Sequence, residues 1–300
     1  MSAAAVARGP TLRSRLAERG VDRTLLLLVP AVAVLGLLFV YPFLYGLDLS
    51  LRPQAGGGML ANYETFFSDA YQRDTIFTTL KIALPATLIN VVASVPIAYR
   101  LRGAFRGKRL LITILVVPMT LGTVLVAEGL LRYLGPRGWF NRTLLELGII
   151  GEPLQLVHNY WGVLLSLVIT GFPFAFLLTL SYLSGIDPSL ERAAATLGAG
   201  ARQRFWHVTM PLLAPGLAMT FVLAFVLAFS VFPSASLVGQ PAGETRVISI
   251  AAYDAAFQKY DYSMGSAIAM VMGAVELLVI ALVLFTRARL YKGPSAGGKG

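Results

Sequence analysis

The sequence of 300 residues contains no cysteine and only two histidines, His158 and His207. The absence of cysteine excludes disulfides, thiol catalysis and cysteine-ligated metal sites. The two histidines are too far apart in sequence to predict a metal site or a serine–histidine pair. The sequence also lacks a phosphate-loop motif, a GxSxG nucleophile motif and an HExxH motif. We therefore predict that the chain is not an enzyme and holds no metal or cofactor of its own.

Charged residues are also scarce. They make up 13% of the chain, against roughly 25% in an ordinary soluble domain, while 56% of the residues are hydrophobic. This composition predicts an integral membrane protein. A net charge of +10 would suggest nucleic-acid binding in a soluble protein, but the basic residues here flank apolar segments, as is typical of membrane topology. We expect contact with membrane lipid and no nucleic-acid partner.

Six apolar segments are long enough to cross a bilayer, which requires about 20 residues of helix. We place these spans at residues 24–47, 75–99, 110–131, 160–184, 212–238 and 264–285. The predicted fold class is therefore an all-α integral membrane protein with six transmembrane helices. Three regions follow from this division, namely a basic tail at 1–23, a membrane domain at 24–287 and a second tail at 288–300.

Lysine and arginine are distributed unevenly between the two sides of this arrangement. Seventeen lie in the tail 1–23, in residues 100–109, in the loop 187–211 and in residues 287–300, whereas seven lie in the loops of the other side. Cytoplasmic segments of membrane proteins carry the excess of basic residues. We therefore expect both termini and the 187–211 loop to be cytoplasmic.

Three ionisable residues, Lys81, Glu128 and Glu276, lie inside predicted spans. An ionised group at mid-bilayer costs about 2.5–3.5 kcal/mol on insertion scales, so it normally faces protein or water. These residues and Asn90 are candidates for a substrate pathway, and two carboxylates would suit a cationic substrate. Alternatively, Lys81 and Glu128 reach the interface or pair with each other, and Asn90 forms an interhelical hydrogen bond. Glu276 is too deep to reach the interface easily, so we expect it to face the interior.

A polar segment of mostly helix-forming residues, Asp187–Pro211, separates the fourth and fifth spans. Asp187 is a favourable helix N-cap, Pro188 suits the first helical position, and Gly198 can end this helix in a left-handed conformation. We expect a second short helix over residues 202–209, before the proline that leads into the fifth span. These features fit either a docking surface for a second protein or an amphipathic linker that lies on lipid.

The spacing within this loop favours the docking surface. Ala193-Ala194 is followed after three residues by Gly198, and nine further residues separate Gly198 from Val208-Thr209-Met210-Pro211. This arrangement resembles the EAA signature of permease subunits of binding-protein-dependent ABC importers. The order of a basic tail, a long first span and five further spans is similar to the whole permease subunit.

The signature glutamate is the one departure, because Arg192 occupies its place. Glu191 is adjacent, but one helical residue corresponds to about 100° of rotation, so we expect Glu191 to point elsewhere. In that family the loop forms a coupling helix seated in a cleft of an ATP-hydrolysing subunit. The resemblance therefore assigns ATPase coupling to seven residues of the loop: Glu191, Arg192, Ala193, Ala194, Gly198, Phe205 and Pro211.

The resemblance also implies several partners. Cytoplasmic ATP-binding subunits would bind the ATP, a second permease subunit (expected to be a different six-span chain) would form the other half of the pathway, and a periplasmic or lipid-anchored solute-binding protein would deliver the substrate. It further implies a location in a bacterial inner membrane.

Two short stretches bear on the substrate. Sugar permeases usually have aspartate before the signature glycine, whereas Leu197-Gly198-Ala199 is more similar to polyamine, sulfate, phosphonate and ferric-iron permeases. Residues 229–239 resemble spermidine/putrescine permeases, which implies a polyamine or a similar small charged organic solute. The alternative function is an ion-coupled secondary transporter in which Glu128 and Glu276 carry protons or sodium. Such folds often contain internal repeats, and no clear repeat relates the halves of this sequence.

Overall fold

The computed structural model describes residues 28–103 and 106–290, and every regular element within these ranges is a helix. Six of the helices in the described ranges are long and apolar enough to cross a membrane, which confirms the predicted fold class. They are α1 (Val29–Ser50), α3 (Ala70–Leu101), α4 (Lys108–Leu134), α6 (Tyr160–Ser184), α8 (Ala201–Phe229) and α11 (Tyr262–Leu290). The tail predicted at 1–23 and residues 291–300 of the second tail lie outside the described residues.

Five shorter helices lie between the spans in the described residues. They are α2 (Ala61–Ser68), α5 (Trp139–Glu146), α7 (Pro188–Thr196), α9 (Pro233–Leu237) and α10 (Ile248–Tyr253). The bundle therefore has a loop end, defined by α7 and the turn after α3. Its opposite end is defined by α2, α5, α9 and α10.

The fifth span differs from its prediction at its far end. The sequence predicted one helix over 212–238, but α8 ends at Phe229 and the separate helix α9 begins at Pro233. A residue before proline is disfavoured in the α conformation. Phe232 accordingly adopts a φ of −128°, outside the helical region. The prediction of one uninterrupted span was wrong here, and residues 230–232 are non-helical.

The near end of the same span also differs. The second short helix expected over 202–209 is continuous with the span, because α8 runs without interruption from Ala201. A wide π-helical turn, Phe205–Thr209, lies immediately before Pro211. Proline lacks an N–H and its ring crowds the carbonyl four residues earlier. The wide turn changes the hydrogen-bond register just before the proline, so the helix continues where the sequence predicted a boundary.

Helix α3 lies at the centre of the described bundle, where it packs against α6 and α8. In α3, 50% of the most apolar stretch is buried in the structure. The corresponding buried share is 0% in α1 and 11% in α4 and α11. A compact cluster at the loop end joins the three central helices through Val95, Ala98, Leu101, Phe176, Leu183 and Leu213. Three of the six spans thus form a core, and the other three present broad apolar faces to the surroundings of the subunit.

Close packing between α6 and α8 depends on Gly216. A Cβ atom at this position would lie 2.5 Å from Tyr182 Cγ and 2.9 Å from Tyr182 Cβ, so no small movement of a flexible side chain would relieve the contact. Small residues at helix interfaces let backbones approach closely in membranes. Gly216 is therefore a packing requirement of the core.

We predict that Gly216→Ala destabilises the isolated subunit by about 1–3 kcal/mol, the usual cost of overpacking a core. Gly273→Ala is the matched control, since a Cβ at Gly273 in α11 meets no atom within 4 Å. Thermal unfolding in detergent, followed by circular dichroism, should show a lower midpoint for Gly216→Ala only. Equal midpoints for the two variants would contradict this account of the interface.

Candidate functional site

Helix α7 has the boundaries that its sequence predicts. The Asp187 carboxylate accepts the Ser189 backbone N–H at 2.8 Å, and Pro188 occupies the first turn. Gly198 ends the helix with a φ of +87°, and its N–H donates to the Ala195 carbonyl at 3.0 Å. No atom lies within 4 Å of a Cβ built at Gly198, so only its backbone conformation calls for glycine there. The predicted N-cap and left-handed turn are confirmed.

The side chains of α7 divide into an outer and an inner set. Leu190, Arg192, Ala193 and Leu197 are exposed, and Leu197 retains 89% of its accessible surface. Leu190, Ala193 and Leu197 are spaced at three and four residues, so they lie on one side of the helix. We call these three residues the outward surface of α7, and the exposed Arg192 is rotated from each of them by about 100° or more around the helix axis. Ala194 is half-buried, and Glu191 turns toward the bundle.

Glu191 is bound by two elements of the loop end. Arg102, which follows the last residue of α3, donates from Nη1 to Glu191 Oε1 at 2.7 Å and from Nη2 to Oε2. The hydroxyl of Thr209, in the wide turn of α8, also donates to Oε1. Hydrogen bonding from Arg102 lowers the pKa of Glu191, and burial opposes this shift. The carboxylate therefore stays ionised at neutral pH and points away from Arg192, as the rotation argument predicted.

Aromatic contacts support this ion pair. The Arg102 guanidinium lies 4.2 Å from the centre of the Tyr99 ring, and Tyr99 meets Phe205 edge-to-face at 4.9 Å. Thr209 is fully buried. Phe205 is half-buried in this packing, and Pro211 is exposed two residues after the wide turn. Their assignment to ATPase coupling stays a prediction. In the sequence, Arg102 contributes only to the positive charge of residues 100–109. Its contact with Glu191 was not predicted because the two residues are 89 positions apart.

A second feature is a cavity of about 390 Å³ among α3, α4, α6 and α8. Two irregular backbone segments line it: Gly122, whose φ of 75° interrupts α4, and Ser230 and Val231 in the segment between α8 and α9. Non-helical backbone at membrane depth is tolerated where it is buried in protein or lines a cavity. The cavity lining contains no charged residue, and its polar side chains are Asn90, Thr123, Thr170, Ser230 and Ser234.

Asn90 is the one predicted pathway residue that lines this cavity. Its Nδ2 donates to the Leu167 carbonyl at 3.2 Å, which joins α3 to α6 as the interhelical alternative predicted. Its buried Oδ1 has no hydrogen-bond partner among the described residues. Because Nδ2 has a carbonyl partner, this orientation of the amide is the favoured one.

The three charged residues predicted for the pathway do not line this cavity. Glu128 accepts from Arg132 at 3.0 Å, so the expected alternative of a pair with Lys81 was wrong. Lys81 is exposed, with Nζ 5.8 Å from the centre of the Tyr160 ring. Glu276 is half-buried in α11, and its Oε1 has no hydrogen-bond partner in the described part of the chain. These charges do not converge on one another.

Within the described residues, six membrane-length helices, a capped helical loop at one end and a cavity without charged lining residues are typical of a membrane transport component. The chain belongs to the family of binding-protein-dependent transport system inner membrane components, which it matches over residues 24–291. It is a permease subunit of an ABC importer and not an enzyme. The alternative of an ion-coupled secondary transporter was therefore wrong.

Individual relatives differ in the transport systems for which they are named. The chain is 32% identical over 209 residues to a probable sulfate transport system permease protein of Prototheca wickerhamii, covering 69% of this chain and 78% of the relative. It is 29% identical over 181 residues to the spermidine/putrescine transport system permease protein PotB of Haemophilus influenzae, covering 60% and 63%.

A solved structure supports the fold. A chain of the bacterial alginate ABC transporter, crystallised with an alginate pentasaccharide-bound periplasmic protein, superposes with a TM-score of 0.79 at 22% identity. The match covers 94% of this chain and 99% of that chain. The fold of the described residues is therefore shared with that chain.

We predict that Gly198→Val loosens the end of α7, whereas Gly198→Asn preserves it. A left-handed conformation costs a β-branched residue roughly 1–2 kcal/mol, and asparagine tolerates it. A cost of that size raises the population of locally opened loop roughly 5- to 30-fold. Amide hydrogen exchange over residues 188–200 should therefore accelerate in Gly198→Val and remain near the unaltered rate in Gly198→Asn. Equal exchange rates in the two variants would show that the turn does not depend on glycine.

Proposed function

We propose that this chain forms half of the substrate pathway of the importer and that the 187–211 loop couples it to an ATP-hydrolysing subunit. The observation that carries the proposal is the outward surface of α7, with Leu190 and Leu197 exposed on one side. Exposed apolar patches rimmed by polar residues mark sites of protein–protein contact. The inner side of the same helix is fixed to the bundle through Glu191. A displacement of α7 by the ATP-hydrolysing subunit is therefore transmitted to the spans.

The EAA-like residues take distinct roles in this proposal. Arg192 and Ala193 contact the ATP-hydrolysing subunit, Ala194 packs between the two surfaces, and Gly198 sets the turn that ends the coupling helix. Phe205 and Pro211 belong to the first part of α8, which carries movement of the loop into the membrane. Glu191 acts from the inner side and holds the helix in place.

The arrangement in the membrane follows from the charge bias of the sequence. We place the loop end and both termini in the cytoplasm of a bacterium, with the opposite end outside the inner membrane. The opposite end then receives a periplasmic or lipid-anchored solute-binding protein. Helices α1, α4 and α11, which bury 0%, 11% and 11% of their apolar stretches, supply surface for lipid and for a second, different six-span permease.

The transported solute is proposed to be a polyamine or a similar small charged organic molecule. The likeness to PotB supports this class. Glu276 supports it as well, because a half-buried carboxylate oxygen without a partner in the described residues favours an ammonium group. The charge-free cavity beside Asn90 would then be a section of the pathway where hydroxyl and amide groups, rather than ions, line the route.

Reconstitution tests both the importer function and the polyamine substrate class. The chain is co-expressed with its ATP-hydrolysing subunit, second permease and solute-binding protein, and the purified complex is placed in liposomes that contain ATP. We expect spermidine uptake that depends on internal ATP. Failure to capture the ATP-hydrolysing subunit, with uptake driven by an ion gradient alone, contradicts the importer function. ATP-dependent uptake of sulfate or alginate oligosaccharide instead of spermidine contradicts only the polyamine class.

We further predict that Glu276→Gln lowers spermidine uptake by roughly 10- to 150-fold. Hydrogen bonds to charged groups contribute about 1.5–3 kcal/mol, and each 1.4 kcal/mol corresponds to tenfold. Glu276→Asp serves as the control because it removes one methylene group and keeps the carboxylate, so its uptake should stay much closer to that of the unaltered complex. Unchanged uptake kinetics in Glu276→Gln would remove that residue from the pathway.

A further inference from the structure

We propose that Arg102 is a positioning residue for energy coupling, through which the coupling loop moves the central helix α3 directly. This inference rests on the proposed function of the loop. It extends the coupling device beyond the loop and its two adjoining spans, α6 and α8. The EAA-like spacing lies in the 187–211 loop and assigns no role to the segment that follows α3. The role proposed for Arg102 comes from its contacts alone.

The geometry of the contact is specific. A carboxylate held by both Nη atoms of one guanidinium has a fixed orientation as well as a counter-charge. The side chains are 26% exposed for Arg102 and 12% exposed for Glu191, so the pair is shielded from solvent more than an ordinary surface ion pair. Thr209 adds a third hydrogen bond to the same carboxylate. One carboxylate thus joins the end of α3, helix α7 and the wide turn of α8.

Neighbouring groups hold Arg102 in this orientation. Its guanidinium stacks on Tyr99, one turn earlier in the same helix, and hydrogen bonding to Glu191 raises its pKa further above the usual value. Lys108, the first residue of α4, donates to the Arg102 carbonyl at 3.4 Å. Arg102 therefore also contacts the start of the third span. Its side chain is held by Glu191 and Tyr99, and its backbone carbonyl is held by Lys108.

Other basic residues of the same segment lack these contacts. Arg100, Arg106 and Arg109 are exposed and form no ion pair with any residue in ranges 28–103 and 106–290. These three residues contribute to the positive-inside bias as much as Arg102 does, so that bias does not explain why the Arg102 side chain is partly buried. The ion pair with Glu191 explains it.

Packing explains why a contact at this point moves the spans. Ala98 and Leu101, at the end of α3, are buried against Phe176 and Leu183 of α6 and Leu213 of α8. Close-packed interiors transmit displacement because they contain little free volume. A shift of α7 that reaches Arg102 therefore displaces α3, whose Asn90 lines the membrane cavity. This gives a continuous physical connection from the loop to the proposed pathway.

The test uses the complete importer in liposomes with Arg102→Ala, Glu191→Ala and the double variant. Uptake and ATP hydrolysis are measured together, with whichever of spermidine, sulfate or alginate oligosaccharide the unaltered complex transports. We expect each single variant to capture the ATP-hydrolysing subunit and hydrolyse ATP, but to lower the solute taken up per ATP roughly 5- to 150-fold, the usual range for coupling between sites. Arg100→Ala is the matched control at the same helix end.

A double-mutant cycle separates a pair from two independent residues. If Arg102 and Glu191 act only through each other, the double variant should lose no more uptake per ATP than the stronger single variant. Losses that multiply in the double variant would overturn the proposal. So would an Arg102→Ala complex whose uptake per ATP equals that of Arg100→Ala. A lower yield of complex with unchanged uptake per ATP would assign the pair to assembly, which also overturns it.

These outcomes are distinct from failure of the proposed function. If the unaltered complex captures no ATP-hydrolysing subunit, or transports without ATP, the coupling role of the loop fails before any variant is compared. If the unaltered complex couples ATP hydrolysis to uptake and the Arg102 variants do so equally well, only the inference about Arg102 fails.

Discussion

The carboxylate of Glu191 is the point at which the 187–211 loop is fixed to the membrane bundle. A largely buried carboxylate requires a counter-charge, and removing one partner of such a pair leaves an uncompensated charge. Arg102 meets this requirement with two parallel hydrogen bonds, and Thr209 supplies a third. Because these donors belong to α3 and α8, the orientation of α7 relative to the spans is set by one side chain. The outward surface of α7 is exposed as a consequence of where Glu191 points.

The need to satisfy backbone polar groups in lipid explains the second main feature. Regular helices meet this need within themselves, and irregular backbone is tolerated only inside protein or beside a cavity. The structure interrupts α4 at Gly122 and separates α8 from α9 at residues 230–232, and both interruptions line the same cavity. The cavity is thus bordered by backbone that could not face lipid. Its uncharged lining distinguishes it from the ionisable residues in the spans, which lie elsewhere.

Features set by local rules could be predicted from the sequence. The spans followed from length and hydropathy, and the ends of α7 followed from the cap at Asp187 and the left-handed glycine at Gly198. The pair Glu128–Arg132 has the four-residue spacing of neighbours on a helix, so the sequence contained that signal although we expected Lys81 as the alternative partner. By contrast, Arg102 and Glu191 are 89 residues apart, and no periodicity relates them.

The continuity of α8 shows that the local rule by which proline marks a helix boundary can fail. Pro211 predicts a helix boundary, yet the wide turn before it lets the helix continue from Ala201 into the membrane. For the proposed coupling role this continuity matters, because a rigid helix transmits a displacement that a flexible junction would absorb. The loop therefore reaches the bundle by two stiff routes, through the backbone of α8 and through the Arg102 ion pair.

The departure from the signature has a physical consequence for the surface that a partner would meet. Glu191 is engaged on the inner side, and Arg192 is exposed at the place where the signature has a glutamate. The exposed part of α7 therefore carries a guanidinium as well as the apolar outward surface, on a different side of the helix. Charge complementarity governs which partners associate, since like charges placed opposite one another are unfavourable. If the proposed docking on α7 is correct, the ATP-hydrolysing subunit presents an acidic or neutral group opposite Arg192, and a cleft built around a basic side chain would be mismatched.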